Sequence, residues 1–124
     1  MSYQTDLRAN QNTFLKNLAN LIFYIQDSGY TISGGELWRS EETQAAHVKA
    51  NRSMTMQSQH LKRLAIDLNI FDGEYLLFSD TSRKEKDTLI VKGFADNWCA
   101  LHPANRWGGE FKSIFDPCHF EMYV

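Results

Sequence analysis

Between Asp6 and Ser28 the apolar residues Leu7, Phe14, Leu18, Leu21, Ile22 and Ile25 recur at three-, four- and seven-residue steps, while Gln11, Lys16, Asn17 and Asn20 fall elsewhere. That spacing predicts an amphipathic helix, and Gly29 is a natural stop for it. Tyr30–Trp38 is rich in β-branched and aromatic residues but is broken by Gly34–Gly35, which predicts a short strand with a turn or bulge. Ser40 ahead of Glu41, Glu42 and Thr43 is a helix start, with the helix expected over Thr43–Ala50. Asn51–Gln59 is polar, without a period, and reads as a loop in which Met54 and Met56 pack locally. Leu64–Phe71 and Glu74–Phe78 are apolar runs around Asp72-Gly73, a hairpin signal.

Ser82-Arg83-Lys84-Glu85 has the pattern of a capping box, opening a helix through Leu89, Ile90, Phe94, Trp98 and Leu101 that Pro103 ends. Arg106–Pro117 reads as a loop carrying Trp107-Gly108-Gly109. His119–Val124 alternates, with Phe120, Met122 and Val124 on one face and His119, Glu121 and Tyr123 on the other. The whole predicts an α+β fold: one small domain over residues 1–124, with an antiparallel sheet and flanking helices.

Composition narrows the function more by exclusion. The 124 residues are 43% hydrophobic and 23% charged, ordinary for a globular chain able to bury one core. A net charge of −2 and the lack of a basic stripe argue against a nucleic-acid partner. The apolar stretch Leu21–Ile25 is flanked by polar residues, and the first thirty residues lack the charged, apolar and small-residue regions of a signal peptide. Direct membrane insertion is therefore not expected. Cys99 and Cys118 are too few for a disulfide framework and read as two reduced thiols.

Chemistry concentrates in two short segments, Ser58-Gln59-His60 through Asp67 and Asp116-Pro117-Cys118-His119-Phe120-Glu121. Two imidazoles and one carboxylate make a three-ligand set that leaves a fourth position free, which catalytic zinc requires. Spacing alone is weak support, since a lone histidine is commonly a hydrogen-bonded structural residue.

Ser58-x-His60-x4-Ala65-x-Asp67 followed by Asp116-x-x-His119-x-Glu121 resembles the zinc D-alanyl-D-alanine carboxypeptidase and VanY-like peptidase family. Upstream, Glu36-Leu37-Trp38-Arg39-Ser40-Glu41-Glu42-Thr43-Gln44-Ala45 is similar to that family's aromatic–Arg–Thr/Ser–x–Glu–x–Gln–Ala segment. Downstream, Trp107-Gly108-Gly109-Glu110-Phe111 is similar to the small phage-type L-alanyl-D-glutamate endopeptidases, the endolysins. The resemblance covers roughly Gly34 to the C-terminus. It implies a Hedgehog/DD-peptidase-like fold whose sheet carries one zinc ion per chain, held by His60, Asp67 and His119. It implies Asp116 as general base, taking a proton from water and passing it to the leaving amine, and Arg39 as the group holding the scissile carbonyl or a substrate carboxylate. Ser58, Trp107 and Glu121 are the expected substrate contacts; second-shell placement is open for Ser58, and ligand orientation for Glu121.

Blander roles stand beside these: Asp116 as a turn residue, Arg39 paired with Glu41 or Glu42, Glu121 as an ordinary strand residue, and His47 and His102 as surface or capping groups. Trp98 is expected in the core. Arg63 departs from the family, which has glycine there; at positive φ it would carry strain of about 1–2 kcal/mol. Cys118 beside His119 is a thiol open to oxidation or to competition for metal.

The implied activity is metal-assisted hydrolysis of peptidoglycan stem peptides at the L-Ala–D-Glu bond, in a lytic or secretion-assisting role. The alternatives are a D,D-carboxypeptidase or dipeptidase, and a non-catalytic cell-wall-binding metallo-module. Synthesis in the cytoplasm without a signal peptide implies a holin-like membrane partner for release to the periplasm and cell wall.

Overall fold

A computed structural model describes residues 3–35, 37–38, 40–50 and 58–124. Arg39, Glu36, Met54 and Met56 lie outside the described residues, as does most of the expected loop over 51–59. The first helix, α1 (Tyr3–Asp27), is followed by strand β1 (Thr31–Gly34) and helix α2 (Glu41–Lys49). Strands β2 (Ala65–Asp72) and β3 (Tyr75–Leu76) form the expected hairpin, with Asp72 opposite Tyr75 and Gly73 at φ 60° in the turn. Helix α3 (Lys84–Leu101), strand β4 (Asn105–Trp107) and strand β5 (His119–Met122) complete the chain. The sheet runs β1-β2-β5-β4, antiparallel throughout, with β3 paired to β2.

The period-2 rule decides what each sheet face does. Ile66, Leu68 and Ile70 of β2, Phe120 and Met122 of β5 and Trp107 of β4 point to one side. There they meet Phe14, Leu18, Leu21 and Ile25 of α1 and Val91, Phe94, Ala95 and Trp98 of α3. Trp98 is fully buried, set edge-on to Phe14 at 5.5 Å and to Phe120 at 6.2 Å between ring centres. Its Nε1–H donates to the carbonyls of Arg106 (3.1 Å) and Glu121 (3.2 Å), so the core residue also ties β4 to β5. The other face carries Asp67, His119, Glu121 and Arg106, a polar row running across three strands.

Three expectations need correction. Ser40 caps α2 as expected, accepting from Thr43 N at 3.1 Å, but the capping box does not open α3. A short 3-10 turn, Thr81–Arg83, comes first, and Asp80 caps it by accepting from Ser82 N at 3.0 Å. The segment expected as loop from Arg106 begins in β4, which pairs with β5 in register Arg106 opposite Glu121. Trp107 is not a substrate wall: it is 3% exposed, packs in the core, and donates from Nε1 to Pro117 O at 2.8 Å. Among the described residues no helix is long and apolar enough to cross a membrane.

One buried carboxyl group holds the hairpin against α3. Asp87 accepts from Tyr75 Oη at 2.6 Å and from Phe78 N at 3.0 Å, with Arg83 3.9 Å away. Phe78, at φ 71°, then packs edge-on to Phe115 (6.0 Å), which Lys84 also covers. The residue before Asp116 is thereby anchored to the hairpin.

Candidate metal centre

The ladder bonds Leu68 N to Cys118 O (2.9 Å) and Met122 N to Leu64 O (2.8 Å) set the register of β2 and β5. Asp67 and His119 consequently face each other at a non-hydrogen-bonded position, where cross-strand side chains come closest. His60 arrives from a 3-10 turn, Gln59–Lys62, capped by Ser58, whose Oγ accepts from His60 N at 3.2 Å. Arg63 closes that turn at φ 58°, ψ 38°, so the expected backbone strain is present. Its guanidinium lies 5.6 Å from the Trp38 ring centre. Gly35 admits the chain beyond β1, since a Cβ there would stand 2.1 Å from Asp67 O.

One ligand atom each from His60, Asp67 and His119 lie within 4.8 Å of one another. His60 is 1% exposed and donates from Nδ1 to Leu37 O at 3.1 Å, which leaves the Nε2 lone pair turned inward. That Nε2 is buried without a hydrogen-bond partner, 3.4 Å from Asp67 Oδ2. His119 is held the other way round. Its Nε2 donates to Glu121 Oε1 at 2.6 Å, and Nδ1 faces Asp67 Oδ1 at 3.1 Å. A buried imidazole nitrogen lacking a partner, a second nitrogen turned to the same carboxylate, and a carboxylate backing one histidine form the donor set zinc takes. The residues fit the ion.

The electrostatics agree. Burial alone would raise the Asp67 pKa, but the hydrogen bond with His119 and the closeness of both imidazoles outweigh it and hold the carboxyl below the usual range. Burial alone would lower His119, yet Asp67 and Glu121 raise it to about 9 in the metal-free protein. A cation held here would replace a proton and take over the stabilisation the carboxylates provide. Cys118 is pushed up to about 11 by burial and then by Asp116 and Asp67, so at neutral pH it stays a thiol and is a poor competitor for metal. Both cysteines are free.

Asp116 stands at the rim, its side chain 44% exposed and Oδ2 3.8 Å from His119 Nδ1. Its backbone is fixed at both ends: N donates to Gly108 O at 3.0 Å, and O accepts from His119 N at 3.1 Å. Gly108 makes this possible, because a Cβ there would meet Asp116 O at 2.0 Å. The Trp-Gly-Gly segment thus fixes the backbone at Asp116 and Pro117.

Glu121 does not match the substrate contact expected of it. It is 4% exposed with both oxygens engaged, one by His119 and one by Arg106, and the geometry matches the ligand-orienting role. Ser58 likewise caps the turn bearing His60. His102 accepts from Ala104 N at 3.0 Å and His47 lies in α2; neither belongs to the cluster. Arg106 was missed by the sequence reading, although its place beside core-facing Trp107 would have put it on the polar face had Asn105–Trp107 been read as a strand. A cleft of about 380 Å³ is lined by Cys99, Asn105 and Glu110 together with Arg106, Phe111 and Lys112, and none of the three cluster residues stands in its wall.

The family model for D-alanyl-D-alanine carboxypeptidase matches residues 51–122, more than half of the chain. Among solved structures the chain is similar to the Serratia marcescens L-Ala D-Glu endopeptidase ChiX, at 23% identity and a TM-score of 0.61, covering 93% of this chain and 84% of that one. No curated protein matches.

Proposed function

The chain belongs to the D-alanyl-D-alanine carboxypeptidase family of peptidases, and on that premise we propose that it is a zinc-dependent endopeptidase of peptidoglycan stems cutting between L-alanine and D-glutamate. The observation that carries the reading is the His60–Asp67–His119 cluster, with its unpartnered buried Nε2 and Asp116 at the rim. The fold shared with an L-Ala D-Glu endopeptidase supports the choice of bond. We take residues 1–124 as one peptidase domain, acting on the cell wall after release by a holin-like partner.

His60 Nε2, Asp67 and His119 Nδ1 would hold the ion. When bound, zinc supplies Lewis acidity, polarising a carbonyl and easing deprotonation of water. The chain's own residues do the rest. Asp116, exposed enough to meet substrate and fixed through its backbone, takes the proton of the attacking water and hands it to the departing amine. Glu121 and the Leu37 carbonyl keep the two imidazoles in register for the ion. Arg39, beyond the described residues, is the proposed carbonyl or carboxylate clamp.

Purified protein should hold about one zinc per chain, as a three-ligand catalytic site does. Digestion of muropeptides should leave L-alanine on muramic acid and expose a new N-terminal D-glutamate. Free D-alanine as the sole product would overturn the choice of bond in favour of a D,D-carboxypeptidase. Zinc bound without any cleavage would leave a binding module.

A further inference from the structure

We propose that Arg106 is a positioning residue of the metal centre: by gripping Glu121 it fixes the His119 ring with Nδ1 toward Asp67. The inference rests on the metal reading above and extends it outward across the sheet. Arg106 and Glu121 are cross-strand partners on the polar face, so the register itself delivers the guanidinium to the carboxylate. Nε and NH2 both donate to Glu121 Oε2, at 3.0 and 2.6 Å. With Oε2 occupied twice, Oε1 is the oxygen left for His119 Nε2–H. The carboxylate cannot turn without breaking three bonds.

The guanidinium is itself braced. It lies 3.9 Å from the Tyr123 ring centre and 5.3 Å from that of Phe111, and Phe111 leans on His119 at 5.5 Å. Its backbone carbonyl accepts from Trp98 Nε1 at 3.1 Å, which ties β4 to α3 at this point. Glu121 is almost wholly buried, its side chain 6% exposed, so its oxygens must be paired within the protein, and Arg106 pairs the one His119 leaves. His60 has the Leu37 carbonyl as a local brace, whereas His119 depends on a carboxylate that Arg106 in turn holds. Loss of Arg106 frees Glu121, and the imidazole can then present either nitrogen to the ion.

The test compares zinc affinity of wild type, R106A and R106K by chelator competition, with ring-nitrogen NMR of the zinc-loaded proteins. Outer-shell partners of metal ligands typically govern about 10–100-fold in affinity, so R106A should bind zinc that much more weakly. R106K, keeping the charge but not the paired donors, should recover part of the loss. In wild type the coordinated nitrogen of His119 should be Nδ1; in R106A that signal should weaken or divide between the two nitrogens. If R106A does not fold, R106Q takes its place with the same expected direction. A folded variant with wild-type affinity and Nδ1 coordination intact would overturn the proposal. Wild type that binds no zinc would instead overturn the metal reading on which it rests.

Discussion

Gly108→Ala tests how closely the fold is built around the rim of the site. The added Cβ would lie 2.0 Å from Asp116 O and 2.9 Å from His119 Cβ. Even close carbon–oxygen contacts are about 3.3 Å or longer, so the two segments must part by roughly 1 Å or more. Neither can yield without cost, because Asp116 N donates to Gly108 O and Trp107 Nε1 to Pro117 O. Weakening those two bonds costs about 1–3 kcal/mol at about 0.5–1.5 each, a fall of several degrees in Tm. Activity should suffer more than stability, since a misplacement of about 1 Å can cost about 10²-fold. Muropeptide turnover, zinc affinity and thermal unfolding would be measured together, with Gly93→Ala as control. A Cβ at Gly93 in α3 meets nothing within 4 Å, and the change should be neutral or stabilising. Wild-type turnover and Tm in Gly108→Ala would refute the claim that a close approach at Gly108 places Asp116.

Asp116→Asn should lower turnover by at least about 10²-fold, the lower end for general acid–base catalysis, while zinc content stays near wild type; unchanged turnover would make Asp116 a turn residue. For metal-free protein, His119 contributes stability that is complete below pH 6.5 and lost as pH rises through about 9, because its folded pKa is raised. Asp67, lowered from 3.8, contributes above that value and loses it in acid, so Tm in chelator should peak between these limits. A Tm flat across the alkaline limb would contradict the His119 contacts. Zinc affinity should climb over the same limb as the proton is displaced. Arg63→Gly should be more stable than Arg63→Ala by about 1 kcal/mol in denaturant unfolding, since both lose the Trp38 contact but only glycine relieves φ 58°.

Long periodic segments and turn chemistry were legible in the sequence. The α1 stripe, the Asp72-Gly73 hairpin and the alternation of β5 each follow from spacing that only one element satisfies. Strand β4 was not, because three residues ending at two glycines carry too little period to register, and tertiary pairing with β5 makes it a strand. The Ser82 capping pattern misled because Asp80, two residues earlier, caps a tighter turn. Arg63 was legible as a departure only through the resemblance, whose glycine at that position raised the prospect of the positive φ found there.

The site was legible in its residues and illegible in its layers. A motif supplies which histidines and carboxylates to watch, but burial and the second hydrogen bond decide what each does. Alternation put His119 and Glu121 on one strand face, where Glu121 could equally have been an exposed strand residue. Instead all four residues of β5 are buried, and a carboxylate there with two partners is a brace before it is a substrate contact. The same reasoning separates the two histidines. Each spends one nitrogen on the protein, His60 its Nδ1 and His119 its Nε2, so the remaining nitrogens converge on Asp67 from opposite ring edges. Such a choice cannot be read from histidine spacing, since either nitrogen of either ring satisfies the same motif. It depends on a backbone carbonyl at Leu37 and a carboxylate two residues along β5, and for the second, on an arginine that only the strand register brings near.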